Sequence, residues 1–282
     1  MSRIVFLLLI LLLPFSGSFS QIPAGYYDPA IGLTGTFLQQ ALHDIIKDHT
    51  EKSYSYLWTA FQSTDAKPNG TVWDMYSDIP DGTPNGNPPY VFQFITNQCG
   101  TASQEGDCYS REHSFPKAWF GGEVTPMYTD LFHIYPVDQT VNLYHSDNPM
   151  GEVTAPTWTS LNGSKKGPCT TEGYTGTVFE PRDEYKGDIA RSYFYMAVRY
   201  YTEDGGWPGS PMVSGSQPLP WALEMLIRWH QSDPVSAKEI ARNNVIYTIQ
   251  HNRNPFIDHP EYVAAIWSSA PIKPEPTNHA TN

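Results

Sequence analysis

Arg111, Glu112, His113 and Lys117 stand within seven residues of one another in the stretch SREHSFPKAWFGG (110–122), and Pro116 fixes the chain among them. Four ionisable groups so close together are costly to bury unless they stay in water or do chemistry. A neutral imidazole near pH 7 can take a proton from water. A carboxylate can hold a hard divalent cation. Side chains of adjacent residues on an extended strand point to opposite faces. That separation is useless for two ligands of one metal, but it suits a base on one side of a reacting phosphorus and a cation on the other. Phosphodiester hydrolysis has this layout, with the attacking water and the departing oxygen roughly in line. One cation can neutralise the departing oxygen while the imidazole activates the water.

Such a cation needs a further protein oxygen, and Mg²⁺ keeps several of its waters. Asn142, in TVNLYHSDNP, offers one; it lies 29 positions beyond His113 (142 − 113). The intervening MYTDLFHIYP can supply a strand that returns beside the first. A turn at 136–138 then opens a short helix carrying Asn142. The expected order is a strand with Glu-His, a returning strand, and a helix with Asn, which is the order of a ββα-metal, or His-Me, finger.

The rest of the chain must hold this unit. TGTFLQQALHDIIKDHT reads as an amphipathic helix capped by Thr34, with Phe37, Leu38, Ala41, Leu42, Ile45 and Ile46 on its apolar side. YSYLWTAF reads as a second helical segment. TVWDMYSD and YVFQFI alternate like strands on either side of the turn-forming DGTPNGNPP. DIARSYFYMAVRYY is a clear helix with Ile189, Tyr193, Met196, Ala197 and Tyr200 on one side, and PWALEMLIRWHQ is another. SDPVSAKEIARNNVIYTIQ predicts a helix capped by Asp233 with Pro234 in its first position, and a stripe of Val235, Ile240, Val245, Ile246 and Ile249. There is no internal repeat, and neither a GxGxxG nor a GKS/GKT phosphate loop. The expected architecture is α+β: a mostly helical single domain, 21–270, built around the finger and its short antiparallel hairpin.

The termini carry other signals. MSRIVFLLLILLLPFSGSFS has a short positive start at Arg3, an apolar run and a small-x-small site before Gln21. This reads as a secretory signal peptide with cleavage near Ser20, and it predicts a secreted or periplasmic mature protein with no membrane anchor. Residues 271–282 read as a disordered tail. In an oxidising compartment Cys99 and Cys108 could close a short loop, leaving Cys169 over. The formal net charge of −12 becomes −13 without Arg3. Such a chain is a poor generic polyanion binder, so phosphate contacts must come from locally gathered basic groups.

REHSFPKAWFG followed by DLFHIYPVDQTVNLYHSDNPMGEV resembles the bacterial endonuclease I family of secreted or periplasmic nucleases. The resemblance extends to GLTGTFLQQALHDIIKDHT, VFEPRDEYKGDIARSYFYMAVRYY and NRNPFIDHPEYV, which is most of the mature chain. It implies His113 as general base and Glu112 and Asn142 as metal ligands. It also implies Mg²⁺ as the usual metal, with Mn²⁺ or Ca²⁺ as alternatives. The implied activity is sequence-nonspecific hydrolysis of DNA, and often RNA, through backbone contacts, leaving 5′-phosphates. Many members read VN-x-x-RSN where this chain reads VNLYHSDN, with His145 in place of the arginine and Asp147 in place of the second asparagine. A positive charge is lost and a negative one gained. Lys117, Arg111 or Arg191 could take over the phosphate contact, Arg191 foremost because DIARSYFYM matches a family block.

Plainer readings stand beside these. His113 could be a surface histidine, Glu112 an ion-pair partner of Arg111 or Lys117, and Asn142 a helix cap. His133 reads as a satisfied, half-buried histidine; Asp130 could orient a neighbour or cap a turn. Asp258, His259 and Glu261 read as structural, because Asn-Pro and His-Pro dictate turns. Asn69-Gly-Thr71 and Asn162-Gly-Ser164 fit both glycosylation sites and hairpin turns. The tyrosines and tryptophans read as core more than as a base-stacking platform. An exported phosphodiesterase of small diesters and a non-catalytic glycan-binding module are the alternative functions. No protein partner is inferable.

Overall fold

The computed structural model describes residues 22–78 and 90–267. The expected signal peptide, the DGTPNGNPP turn and the expected tail lie outside them. Two helices come first, α1 (Gly35–Ile46) and α2 (Leu57–Thr64). Next are β1 (Tyr109–His113), β2 (Ile134–Asp138) and α3 (Gln139–His145). A three-stranded antiparallel sheet follows, formed by β3 (Trp158–Thr159), β4 (Lys165–Pro168) and β5 (Thr177–Glu180). Then come α4 (Lys186–Arg199), the two-residue strands β6 (Val213–Ser214) and β7 (Gln217–Pro218), α5 (Pro220–Ser232) and α6 (Ala237–Gln250). Short helices α7 (Pro255–Asp258) and α8 (Tyr262–Trp267) end the described chain. The architecture is mixed, with helices dominant and sheets small, and the apolar side chains form one contiguous core. No helix among the described residues is long and apolar enough to cross a membrane.

Helix α4 is the centre. Its residues from Gly187 to Arg199 are all buried, not only one stripe, as befits a helix surrounded by others. It supports the β1–β2 hairpin directly: Tyr193 Oη donates to the Ser114 carbonyl at 2.9 Å, and the Tyr135 and Ser192 hydroxyls share a hydrogen bond of 2.6 Å. Asp130, just before β2, accepts from Tyr195 and Tyr200 of the same region, each at 2.7 Å. It also caps the turn at 131–133 through the Phe132 amide. Burial alone would raise its pKa. The facing His49 and His133, with donors from Gln250 and Tyr195, outweigh that and hold it down to about 2.

Helix α6 departs from its expected reading. It starts at Ala237, three residues after Pro234, with Ser236 and Glu239 forming a reciprocal capping box. Asp233 instead ends α5, and its Oδ2 accepts from the Gly187 amide at 2.8 Å. Ile240 is 48% exposed, and the helix buries a polar face with Arg242, Asn243 and Gln250. Arg242 explains why. Its Nε donates to Asp65 Oδ1 at 2.8 Å, and its Nη2 donates to the carbonyls of Leu131 and Ile134, both at 2.8 Å. One guanidinium thus ties α2, α6 and the entry to β2 together.

Three other expectations fail locally. The apolar stripe of α1 buries Leu38, Leu42 and Ile46 but leaves Phe37 77% exposed. TVWDMYSD and YVFQFI are turns and bends, not strands. Asp74 turns the first back on itself by accepting from the Tyr76 amide at 2.9 Å, and Ile95 has φ of 70° in the second. The Val72 amide donates to the Phe92 carbonyl at 3.0 Å, linking the two.

Candidate active site

Strands β1 and β2 pair antiparallel, with Glu112 opposite Tyr135 and His113 opposite Ile134. Alternation puts Ser110 and Glu112 on one face of β1 and Arg111 and His113 on the other. The turn expected at 136–138 is absent: β2 runs to Asp138, which itself caps α3. Asp138 Oδ1 accepts from the amides of Thr140 and Val141 at 2.8 and 3.0 Å, and Oδ2 accepts from Gly106 at 2.7 Å. Asp74 Oδ2 in turn accepts from the Asp138 amide at 3.0 Å. Burial raises Asp138 to about 6 despite those donors, and burial with the neighbouring Asp138 charge raises Asp74 to about 8.

With the cap fixed, α3 presents Asn142 and His145, three apart on one helical face, to Ser110 and Glu112, two apart on the strand. Asn142 Nδ2 donates to Ser110 Oγ at 2.9 Å. His145 Nδ1 bonds Glu112 Oε1, which also accepts from Tyr76 Oη at 2.9 Å. An ionised carboxylate only accepts, so Nδ1 carries the hydrogen. Nε2 of His145 is buried, without a partner among the described residues, beside the Phe179 and Tyr76 rings. Burial and Glu112 push the Tyr76 phenol far up, so it stays a donor.

On the opposite face, His113 Nε2 pairs with the Tyr128 carbonyl at 3.1 Å. The ring must donate there, which leaves the lone pair on Nδ1. Burial, with His133 adding to it, lowers this ring to about 3, so it is neutral at pH 7. It lies parallel to Tyr128, centroids 5.3 Å apart, and Tyr128 stacks on Tyr54 at 4.3 Å. Arg111 closes the pile: its guanidinium lies 3.6 Å from the Tyr54 ring centre and 4.4 Å from that of Trp58, and Nη1 donates to the Tyr54 carbonyl at 2.8 Å. Lys117 sits 5.4 Å from the Tyr128 ring and meets Glu123 at 3.2 Å, an exposed pair worth little. Gly121, in the left-handed region at φ 97°, ends the turn that carries Lys117.

Arg191 must be corrected. It is fully buried; its Nε and Nη2 clamp Glu239, the latter at 2.8 Å, and Nη1 donates to the Asp233 carbonyl at 2.9 Å. A guanidinium spent on pinning α4 to α6 cannot also take a substrate phosphate. Several bland readings describe their residues well. His133 is fully rather than half buried, and its Nε2 bonds the Met127 carbonyl at 2.8 Å while Nδ1 has no partner among the described residues; Asp258 pairs with Arg253 and Tyr27. Asn69 forms a turn, accepting from the Thr71 amide, and Asn162 is buried. A disulfide joins Cys99 and Cys108, and Cys169 is free and buried.

The site residues that sequence reasoning undervalued are His145, Tyr76, Tyr54 and Tyr128. His145 was findable, being one helical turn from Asn142. The tyrosines come from loops whose placement no local pattern encodes. Among the described residues no group of three His, Cys, Asp and Glu side chains converges on one point. The donors at this hairpin are of another kind. Glu112 has Oε1 occupied by two donors, and Asn142 has its amide nitrogen engaged, which turns Oδ1 away from Ser110. A carboxylate and an amide oxygen on facing elements are hard ligands, and they fit Mg²⁺ or Ca²⁺ better than a soft metal.

Comparison with known proteins identifies the relatives of the chain. An extracellular ribonuclease of Bacillus amyloliquefaciens is 38% identical over 252 residues, covering 86% of this chain and 78% of that protein. An extracellular ribonuclease of Bacillus subtilis strain 168 is 36% identical over the same length and shares. Endonuclease-1 of Buchnera aphidicola is 29% identical over 130 residues, 46% of each chain. The Endonuclease I family pattern matches residues 34–261, and the chain belongs to that family.

Proposed function

We propose that this protein is an exported, sequence-nonspecific endonuclease that hydrolyses phosphodiester bonds of DNA and RNA and leaves 5′-phosphates. The observation that carries the reading is the Glu112–His113 pair at the end of β1, with Asn142 presented to the Glu112 face by α3. Family membership and the names of the two Bacillus relatives support nuclease chemistry, and those names also support export.

His113 ends the strand, so a phosphate lying over that end can be approached from both faces of the hairpin. Its ring is neutral, oriented by the Tyr128 carbonyl, and offers Nδ1 as the base that takes a proton from water. Glu112 and Asn142 would hold a single Mg²⁺. When bound, it supplies Lewis-acid neutralisation of the charge that develops on the phosphate and the 3′-oxygen. Tyr76 and His145 hold Glu112 in place. Lys117, exposed and 5.4 Å from the Tyr128 ring of the His113 stack, is placed to meet a backbone phosphate; Arg111 is partly enclosed and orders the rings.

The test is cleavage of supercoiled plasmid and of single-stranded RNA with Mg²⁺ and with EDTA. Wild type should cut both only with the metal. His113→Ala should cut about 10²- to 10⁴-fold more slowly while keeping its circular dichroism spectrum. Normal cutting by that variant ends the assignment.

A further inference from the structure

Tyr144 lies two residues beyond Asn142 on α3, and its ring stacks on Trp158 of β3 with centroids 3.8 Å apart and planes 10° from parallel. Tyr144 is 38% exposed, and its neighbour Leu143 is 59% exposed. Trp158 pairs directly with Lys166 of β4, so the two side chains share one face of the sheet. Among the described residues Lys166 enters no ion pair, whereas its neighbour Lys165 meets Glu180 at 3.3 Å. Large rings are normally spent on the core, as most are in this chain. Here the exposed Tyr144, on the helix that carries Asn142, forms a flat pair with Trp158, which is partly buried against the edge of the core, beside an uncommitted cation.

We propose that Tyr144, Trp158 and Lys166 form a nucleobase-stacking subsite for single-stranded nucleic acid flanking the scissile phosphate. This rests on the nuclease reading above and names the substrate form that the site prefers. An unpaired base exposes a π-face that can extend an existing two-ring stack, and every base has such a face, so the contact is sequence-tolerant. A rigid pair loses little freedom on binding. Lys166 supplies the positive charge that a strand backbone needs on an otherwise acidic protein. Asp147, exposed in the turn just after α3, repels phosphates at that end. A duplex keeps its bases stacked on one another and cannot use the platform without opening.

The test measures binding in the His113→Ala background with Mg²⁺, by fluorescence anisotropy. The probes are a uridine 12-mer RNA, a thymidine 12-mer DNA, an abasic 12-mer and a 12-base-pair duplex. Tyr144→Leu and Trp158→Leu keep apolar bulk but remove the ring face. Each should weaken the two base-bearing single strands by about tenfold, the order expected for one lost stacking contact. The abasic strand and the duplex should change less than twofold. Lys166→Ala should lower the salt dependence of single-strand binding by somewhat less than one ion. Affinities within twofold for all four probes in both leucine variants overturn the subsite and favour a protein partner or plain packing. Equal losses on the abasic strand also overturn it. If wild type with Mg²⁺ cuts plasmid and RNA while the leucine variants bind normally, only the subsite falls. If wild type cuts neither, the nuclease reading falls with it.

Discussion

His145 donates from Nδ1 to Oε1 of Glu112, the same oxygen that receives the Tyr76 hydroxyl. Two donors on one oxygen fix the carboxylate plane and leave the other oxygen free for a cation. Partners of this kind typically account for 10- to 100-fold in metal affinity. His145→Ala and Tyr76→Phe should therefore each weaken Mg²⁺ binding by about that factor, read by calorimetric titration in the His113→Ala background. Unchanged affinity in both variants would show that Glu112 is not a metal ligand or is held by something else.

The pH profile should lack the usual imidazole limb. A base works when neutral, which means above its pKa, and burial puts His113 near 3. A bound cation would push the ring further the same way. The kcat/KM for an RNA oligonucleotide at saturating Mg²⁺ should stay within about threefold from pH 8 to pH 5.5. A tenfold fall per pH unit starting near 6.5 would mean that the ring is solvated or is not the base.

The strand–strand–helix order was legible because each piece is local. Glu-His sits on a short alternating run, and the Asn142 helix follows its cap at once. The Cys99–Cys108 pairing was open to inference from spacing and compartment. What was not legible depends on distant partners. TVWDMYSD alternates convincingly, yet Asp74 satisfies nearby amides and Tyr76 is drawn inward to Glu112, so the pattern marks burial without a strand. The apolar stripe assigned to α6 held at Ile246 and Ile249, which are buried, but not at Ile240, because Glu239 and Arg242 bury a polar face to pair with Arg191 and Asp65. The basic residues of a family block look alike in sequence whether they face phosphate or a buried glutamate.

Arg191 gives a direct discrimination between those two roles. Removing one member of a buried pair strands the other, which costs about 3–5 kcal/mol. Arg191→Met should lower urea-unfolding stability by that amount, and Arg191→Met with Glu239→Gln should recover part of it. The KM of the folded enzyme for RNA should move less than twofold. A large rise in KM with unchanged stability would return Arg191 to the substrate.

Buried groups of opposite sign should make stability depend on pH, and they can be named. Asp74 and Asp138 have folded pKa values raised to about 8 and about 6, above the ordinary carboxylate value. The folded state therefore binds more protons than the unfolded chain between about pH 4 and 8, so this contribution is full below pH 4 and is lost as pH rises through 6 and 8. Asp130 has the opposite sign. Its value of about 2 gives stability that is present above pH 4 and lost as pH falls through 2. The buried His113 and His230, lowered to about 3 and about 4, act the other way and lose stability as pH falls below the free imidazole value. The carboxylate contribution is therefore read as the wild-type melting temperature minus that of Asp74→Asn, which should grow from pH 8 to pH 5 by about 2–4 °C for each 1 kcal/mol in a chain this long. Asp74→Asn keeps one acceptor for the Tyr76 and Asp138 amides but cannot ionise, so it should flatten the slope above pH 6. A difference between wild type and Asp74→Asn that stays constant from pH 5 to pH 8 would mean that the Asp74–Asp138 pair is ionised without penalty and that the cap of α3 is more solvated than the structure shows.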